Sequence, residues 1–343
     1  MDTREQIRSG SPFDRDASSQ WLLHEDALIL EKIALHPDGA PEIRPHREAL
    51  ILRDDLLHPW ANGNKLRKLD GYLPELQARG VTDILTCGGV QSAHCAALAS
   101  LCAERGVRAH VLLRGEAPAQ MTGNFAITSL YAQSVTWVAR DSYADREAML
   151  DHHARKLTRR LGPASNLHVI PEGASNALAL RGLVRLIERL IHHLPNPEAP
   201  WRLLIDSGTG TSAAGLLAGI LIHDLPWSIR SVMLVPDQHA HYTRTITELA
   251  TEYAGVEAPG DKLIMLDRRP PRRFGKLVAA EIIRCRQTAR LTGVLFDPIY
   301  TLAAYDELCH QSEEHDARTL LIHTGGALNL FGVMSRKPHL FQT

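Results

Sequence analysis

A lysine and a serine stand where side chains of an α/β protein can do chemistry. Lys65 follows the turn Gly63-Asn64, where a helix is predicted to begin. Ser92 follows the double glycine Gly88-Gly89, between a predicted strand and the next helix. A lysine amine can form an imine with a carbonyl cofactor, and a neighbouring hydroxyl can bind substrate or move a proton. The pairing predicts a lysine-bound cofactor with a hydroxyl beside it.

Structural interpretations of both residues stay open. Lys65 stands beside Arg67 and Lys68 on a predicted amphipathic helix, a pattern typical of a solvated charged face. Ser92 fits the cap of the helix that follows it. The catalytic interpretation is favoured because both residues lie at ends of α/β elements, where sites gather.

A glycine-rich loop is the strongest local signal. Ser207-Gly208-Thr209-Gly210-Thr211-Ser212 lies between an apolar strand and an apolar helix. Glycines let the backbone approach an anion, and a helix start offers unpaired N–H groups. No lysine follows the glycines and the dinucleotide fingerprint is absent, so a different phosphate cradle is predicted. The alternative is a turn in which Thr and Ser only cap the helix.

Composition favours a small-molecule partner. The chain has 343 residues, 44% of them hydrophobic, with 38 Lys and Arg against 39 Asp and Glu. This balance excludes a strong attraction to nucleic acid or an anionic membrane. No apolar run reaches a membrane span, and residues 1–20 resemble neither a signal nor a transit peptide, so a cytoplasmic protein with a loose amino-terminal tail is expected.

Cysteines and histidines suggest neither disulfides nor a metal site. The five cysteines contain no C-x-x-C pair and are interpreted as reduced thiols. Cys87 is expected to be an apolar filler, with a reactive thiol as the alternative. The histidine pairs lack ligand spacing, so no metal is predicted.

Strands and helices alternate along the chain, which predicts an α/β fold with parallel sheets. A first strand is expected at residues 49–53, and residues 27–30 fit a strand or a short helix. Four strands at residues 81–86, 109–113, 135–139 and 167–170 are separated by helices starting near Gln91, Ala119 and Tyr143. A long helix over residues 176–193 leads into strands at residues 203–206, 232–235, 262–266, 294–296 and 319–323. Two sheets with a cleft between them follow.

Six motifs together resemble a known family, the D-cysteine desulfhydrases and 1-aminocyclopropane-1-carboxylate deaminases, which depend on pyridoxal phosphate. The resemblance covers about residues 53–332. It depends on motifs that stand in the family's order: Arg53-Asp54-Asp55, Gly63 to Leu69, Gly88-Gly89-Val90-Gln91-Ser92 with His94, Pro171 to Asn176, Asp297-Pro298-Ile299-Tyr300-Thr301 and His323-Thr324-Gly325-Gly326.

The resemblance implies the fold of the tryptophan synthase β chain, fold type II of the pyridoxal-phosphate enzymes. Two parallel-sheet α/β domains would enclose the cofactor in their cleft. Residues 1–69 and 171–343 would form the large domain, and residues 70–170 the small inserted one. A homodimer acting on an amino acid is implied.

The resemblance also implies roles for individual residues. Lys65, Ser92 and Tyr300 would be catalytic, with Lys65 holding the cofactor as an imine and Tyr300 in acid–base work. The substrate would contact Ser92, Gln91, His94, Phe274 and Tyr300. The remaining cofactor contacts would be Asn64, Gly208, Thr209, Gly210, Thr211, Ser212 and Thr324.

Thr324 and Thr301 stand where ring-opening deaminases have a leucine and a glutamate. The resemblance assigns Thr324, with Thr301 second, to the pyridine nitrogen, where a neutral hydroxyl would stabilise the carbanion less than a carboxylate. This favours β-elimination of a thiol or sulfide from a cysteine-like amino acid. Ring-opening deamination, β-replacement or elimination on a larger cysteine conjugate, and a lapsed cofactor-binding protein are the alternatives. Ala93 and Phe274 replace a family asparagine and tyrosine, which puts D-cysteine itself in doubt.

Overall fold

The computed structural model describes residue 23 and residues 28–36, 47–61, 63–310 and 318–341. The predicted amino-terminal tail lies outside them. The described strands are β1 (Leu30–Leu35), β2 (Arg47–Leu52), β3 (Asp83–Gly89), β4 (Arg108–Arg114), β5 (Ser134–Val138), β6 (Leu167–Val169), β7 (Trp201–Ser207), β8 (Ser228–Met233), β9 (Leu263–Asp267) and β10 (Arg318–Ile322).

Helices alternate with these strands. The α-helices are α1 (Asn64–Ala78), α2 (Ala93–Glu104), α3 (Gly123–Tyr131), α4 (Arg146–Leu161), α5 (Ala177–His193), α6 (Thr211–Ile222), α7 (His239–Ala254), α8 (Ala279–Thr292), α9 (Thr301–His310) and α10 (Ala327–Arg336). Short 3₁₀ helices span Asp54–Leu56, Glu172–Ala174 and Pro338–Phe341.

The strands form two sheets, as predicted. The larger has the order β1-β2-β10-β7-β8-β9, in which only β1 runs antiparallel to its neighbour. The smaller has the order β5-β4-β3-β6 and is parallel throughout. Parallel strands need crossover helices on their faces, so their central residues are apolar and buried, as Ile84 and Leu204 are. The carboxyl ends of β3 and β7 then carry the serine motif and the glycine-rich loop.

The strands divide between the sheets by chain position. All four strands of the small sheet come from residues 83–169, and the six of the large sheet come from before and after this segment. This grouping agrees with an inserted small domain. The boundaries at residues 69/70 and 170/171 stay a prediction, and α1 runs through the first of them.

One predicted strand is absent from the described residues. Residues 294–296 lie between α8 and α9 and pair with no strand, although Phe296 is fully buried. The Leu295 carbonyl instead forms a hydrogen bond of 3.1 Å with His323 Nε2. Hydrophobicity signals burial here, and burial alone does not distinguish a strand from an extended loop under a sheet.

Helix boundaries differ slightly from the sequence prediction. The three helices expected near Gln91, Ala119 and Tyr143 begin two to four residues later, at Ala93, Gly123 and Arg146. Ser92 and Asp145 cap two of them with side-chain oxygens. Such shifts are expected because a cap residue itself is not helical.

Helix α1, which carries Lys65, packs unusually close to α5. A Cβ atom added at Gly182 of α5 would lie 1.8 Å from the Arg67 carbonyl oxygen. Only a glycine leaves room for that backbone. The contact therefore sets the depth at which α1 sits in the protein.

We expect Gly182→Ala to destabilise the protein by about 1–3 kcal/mol, because the methyl group must push the two helices apart. Gly260→Ala is the matched control, since no atom lies within 4 Å of a Cβ there and the backbone has no left-handed φ. Urea unfolding of both variants measures the difference. Equal midpoints would show that the α1–α5 contact does not constrain the fold.

Candidate active site

Lys65 is the second residue of α1 and lines a cavity of about 270 Å³. Its position depends on Gly63, which has φ 66° and whose added Cβ would lie 1.9 Å from the Thr324 carbonyl oxygen. Asn64 holds the helix start from the other side, because its Nδ2 donates to Ser212 Oγ at 3.0 Å. The predicted lysine turn therefore meets both the glycine-rich loop and the threonine motif.

The surroundings of Lys65 favour its neutral amine. Burial lowers the pKa of Lys65, and the nearby Asp206 carboxylate partly opposes this effect. A neutral amine is the form that attacks a carbonyl or accepts a proton. Burial therefore makes the reactive form of Lys65 more accessible than it is for a lysine in water.

The alternative of a solvated charged face on α1 is wrong. Arg67 and Lys68 are each only 1% exposed. Arg67 Nη2 binds Asp54 Oδ1 at 2.7 Å, and Lys68 Nζ donates to the Gly173 carbonyl at 3.0 Å. Burial, with Lys65 as a neighbouring charge, holds the pKa of Lys68 well below its usual range. Lys68 also lines the cavity, a position that sequence reasoning missed.

The glycine-rich loop begins at the carboxyl end of β7 and leads into α6. Gly210, with φ 80°, precedes the helix, and no side chain caps it. Tyr242 steadies the loop by donating from its hydroxyl to the Gly208 carbonyl at 2.5 Å. The interpretation of Thr and Ser as helix caps is therefore not what the structure shows. The first amides of α6 have no partner within the helix and can bind an anion.

Most of the predicted loop residues face the same cavity as Lys65. Gly208, Thr209, Gly210 and Ser212 line it. Thr211 is buried and outside the lining, and its hydroxyl lies 3.0 Å from that of Thr209.

Ser92 caps a helix and also lines the cavity, while its predicted catalytic role stays a prediction. Its Oγ accepts a hydrogen bond from the Cys95 amide at 3.2 Å, which caps α2. It also lines the cavity. Gln91 lies outside the lining, because its side-chain amide donates to the Thr122 carbonyl at 3.0 Å and accepts from the Asn124 amide at 3.2 Å. These bonds tie the serine motif to the start of α3.

His94 lines the cavity as a neutral acceptor. The Thr86 hydroxyl donates to the Ile170 carbonyl at 2.8 Å, so His94 Nε2, 2.9 Å away, must donate to Thr86. Burial, together with Lys65 and Lys68, lowers the pKa of His94 to about 3. Its Nδ1 therefore carries a lone pair, and this buried atom has no partner among the described residues. A hydrogen-bond donor entering the cavity would satisfy it.

Tyr300 and Phe274 lie together in the cavity wall. Their rings meet edge to face with centroids 5.7 Å apart. Burial raises the pKa of the Tyr300 phenol, which therefore stays protonated at neutral pH. Phe274 remains 44% exposed, at the rim of the site.

A buried network positions the loop that carries Tyr300. Asp297 Oδ1 accepts from the Ile299 and Tyr300 amides at 2.9 and 3.1 Å. Arg268 and Arg272 hold the same loop through hydrogen bonds to the Pro298 carbonyl. Such charge-assisted bonds to backbone carbonyls restrict the phenol to one position.

Thr301 and Thr324 differ in what they can reach. Thr301 Oγ1 accepts from the Asp297 amide at 2.9 Å and donates to Asp297 Oδ2 at 3.1 Å, outside the cavity lining. Thr324 lines the cavity, and its hydroxyl donates to the carboxylate of Asp206. The structure thus favours Thr324 over Thr301 as a contact for any ligand.

Asp206, Glu172 and Asn329 also line the cavity and were missed in the sequence. Asp206 is buried at the carboxyl end of β7, and its place just before the glycine-rich loop was the available signal. Asn329 Oδ1 accepts from Asn124 Nδ2 at 2.5 Å, which joins α10 to α3. Only the folded chain brings these two amides together.

Cysteine reactivity, metal binding and membrane-spanning helices can be assessed for the described residues. Burial raises the pKa of Cys87 to about 11, so the thiol is an unreactive filler. Within residues 63–310 and the other described segments, no cluster of His, Cys, Asp or Glu could hold a metal ion. No helix in those segments is long and apolar enough to cross a membrane.

The cavity residues fit pyridoxal phosphate. The lysine amine suits its aldehyde, the uncapped start of α6 with its glycines and hydroxyls suits its phosphate, and Thr324 offers a polar contact for its ring. The depressed pKa of Lys65 and the unsatisfied Nδ1 of His94 both indicate a site built for a polar ligand.

Fold and site together define a pyridoxal-phosphate enzyme of fold type II. A family model for pyridoxal-phosphate dependent enzymes matches residues 39–325, and the chain belongs to this family. The cofactor is pyridoxal phosphate.

Individual proteins to which the chain is similar show which members of the family it resembles. The chain is 36% identical to a putative D-cysteine desulfhydrase 2, mitochondrial, from Oryza sativa, over 93% of each chain. It is 26% identical to a bifunctional D-cysteine desulfhydrase/1-aminocyclopropane-1-carboxylate deaminase, mitochondrial, from Arabidopsis thaliana, over 92% of this chain and 82% of the relative. A crystal structure of an ACC deaminase homologue has the same fold, with a TM-score of 0.75 and 24% identity over 90% of this chain and 93% of that one.

Two buried lysines in one cavity call for a direct test of which one binds the cofactor. We expect borohydride reduction of the loaded protein, followed by peptide mass mapping, to place the pyridoxyl group on Lys65. Lys65→Ala should abolish the absorption band of the lysine-bound cofactor although Lys68 is intact. A modified Lys68, or an unchanged spectrum in Lys65→Ala, would contradict the assignment.

Proposed function

We propose that the protein eliminates the β-substituent of a cysteine-like amino acid. The products are a thiol or sulfide, pyruvate and ammonia, with one water consumed. The observation that carries the proposal is that Lys65, Ser92 and Tyr300 line one cavity, in which burial lowers the pKa of the Lys65 amine. The names of the rice and Arabidopsis relatives support the same chemistry.

Bound pyridoxal phosphate supplies an electron sink for the pair left by a broken Cα–H bond. Lys65 is the base that removes the α-proton, because burial lowers the pKa of its amine and so favours the unprotonated form that can accept a proton. Tyr300 donates a proton to the departing sulfur, since its phenol stays protonated at neutral pH. The Asp297 network keeps the phenol in place between turnovers.

The amino-terminal end of α2 binds the substrate carboxylate. Ser92 stands at this helix start, where backbone amides and the helix dipole favour an anion. The lone pair on His94 Nδ1 accepts a hydrogen bond from the bound substrate or cofactor. Gln91 supports Ser92 indirectly, because its side chain holds the serine motif to the start of α3.

The cofactor contacts extend along one side of the cavity. Lys65 binds the aldehyde carbon, and Asn64 supports the loop through Ser212. Residues 208–212 would hold the phosphate through backbone amides and hydroxyls, and Thr324 would contact the ring nitrogen. Phe274 shapes the rim, where the substrate side chain enters.

The first experiment mixes the cofactor-loaded protein with D-cysteine and measures both sulfide and pyruvate. Release of both, and of neither by Lys65→Ala, establishes the elimination. Release of neither with an intact cofactor spectrum refutes D-cysteine as substrate and directs the assay to larger cysteine conjugates. Ring-opening deamination is a second candidate, favoured by the fold shared with an ACC deaminase homologue, and 2-oxobutyrate from the cyclopropane substrate would identify it.

Replacing the phenol tests the acid–base assignment. We expect Tyr300→Phe to lower kcat about 10²–10⁴-fold with little change in KM, because a general acid is lost and the ring contact is kept. Phe274→Leu is the control, since it removes the ring neighbour of Tyr300 but no proton donor. Stopped-flow measurement of sulfide release separates kcat from KM. Equal losses of kcat in the two variants would refute the acid role of Tyr300.

We propose a cytoplasmic homodimer, although the rice relative is described as mitochondrial. The five cysteines are buried, unpaired thiols, which suits a reducing compartment. Leu130 of α3 and Phe331 of α10 are 76% and 49% exposed, on two helices that pack together, and apolar exposure of this kind favours association. Sedimentation equilibrium of the loaded protein tests the dimer.

A further inference from the structure

The hydroxyl of Thr324 is already committed as a donor. Its single hydrogen points to the carboxylate of Asp206, so the oxygen can offer only lone pairs to a ligand in the cavity. An acceptor at this position selects a ligand atom that carries a hydrogen. The two hydrogen bonds therefore run in one order: a ligand atom donates to the Thr324 hydroxyl, and this hydroxyl donates to the Asp206 carboxylate.

Asp206 can place a negative charge beside this hydroxyl. It is buried to 3% exposure and lines the same cavity. The charged groups that act on it are Lys65, Arg268 and Asp297. Burial raises the pKa of Asp206, while the Thr324 hydroxyl and then the Lys65 amine lower it. A carboxylate in such surroundings attracts positive charge strongly, because little water screens it.

We propose that Asp206 is a positioning residue that stabilises the protonated pyridine nitrogen of the cofactor through the Thr324 hydroxyl. The proposal rests on the proposed contact between Thr324 and that nitrogen. The proton sits on the nitrogen, the hydroxyl accepts it in a hydrogen bond, and the hydroxyl hydrogen is held by the carboxylate. The carboxylate thus acts on the ring through the hydroxyl and does not contact the nitrogen itself.

The pair modifies the expectation drawn from Thr324 alone. A lone hydroxyl stabilises a pyridinium poorly, whereas a hydroxyl bonded to a carboxylate is a stronger acceptor, since neighbouring hydrogen bonds polarise one another. The pyridine ring of the bound cofactor would therefore be a better electron sink than it would be beside a threonine without the carboxylate.

The test reads the ring nitrogen itself. The protein is loaded with pyridoxal phosphate labelled with ¹⁵N in the ring, and the ¹⁵N chemical shift is followed against pH. We expect the ring nitrogen of the wild-type protein to be protonated at neutral pH. Asp206→Asn should weaken proton binding there about tenfold or more, which moves the shift downfield at a given pH.

A double-mutant cycle distinguishes the hydroxyl route from a direct effect of Asp206 on Lys65. Thr324→Val should reproduce the change seen in Asp206→Asn, the double variant should add nothing, and Thr324→Ser should restore the wild-type titration. Asp83→Asn, at a buried carboxylate of the small sheet, is the control and should leave the nitrogen unchanged.

Two results overturn the proposal. An unchanged ¹⁵N titration in Asp206→Asn shows that the carboxylate does not reach the ring. An equal effect of Asp206→Asn with and without the Thr324 hydroxyl shows that it acts through Lys65. The two failures are distinguishable. If only this proposal fails, the protein still releases sulfide and pyruvate but the ¹⁵N titration does not respond as described. If only the proposed function fails, those products are missing but the ¹⁵N titration responds as described.

Discussion

The site depends on how closely helix α1 approaches its neighbours. At its start, Gly63 lies against the Thr324 carbonyl, and one turn further the Arg67 carbonyl lies against Gly182. Neither contact tolerates a side chain. Because both ends of this first turn are held at van der Waals distance, Lys65 and Lys68 are carried into the interior, where burial lowers the pKa of both amines.

Buried charge of both signs then has to be balanced within the cavity. Lys65 and Lys68 line it with the carboxylate of Asp206, and behind its wall burial, with Asp206 nearby, raises the pKa of Asp297 to about 7. The protonation states of such groups respond to small changes in the charge around them. A charged cofactor can reset them when it binds, because its phosphate and ring add charges among partners that are already in place.

Much of this arrangement was predictable from the sequence, for identifiable reasons. The alternation of apolar strands with amphipathic helices defines an α/β fold, and the glycine-rich loop is recognisable because residues close in sequence form it. Asp206 and its bond to Thr324 join positions 118 residues apart, so no local pattern reports it. The alternative of a solvated face at Arg67 and Lys68 stayed open because a charged stretch on a helix is usually solvated, and only the tertiary contacts of α1 bury it. The strand expected at residues 294–296 failed because the run is buried without pairing.

The bond between Asn124 and Asn329 has a mechanical consequence. It joins the helix after β4 of the small sheet to the helix after β10 of the large one, and Asn329 itself lines the cavity. Gln91 ties the serine motif to the same end of α3, through the Thr122 carbonyl and the Asn124 amide. Ser92 is therefore coupled to the large sheet through three side chains, and a rotation of one sheet against the other must either preserve these bonds or break them.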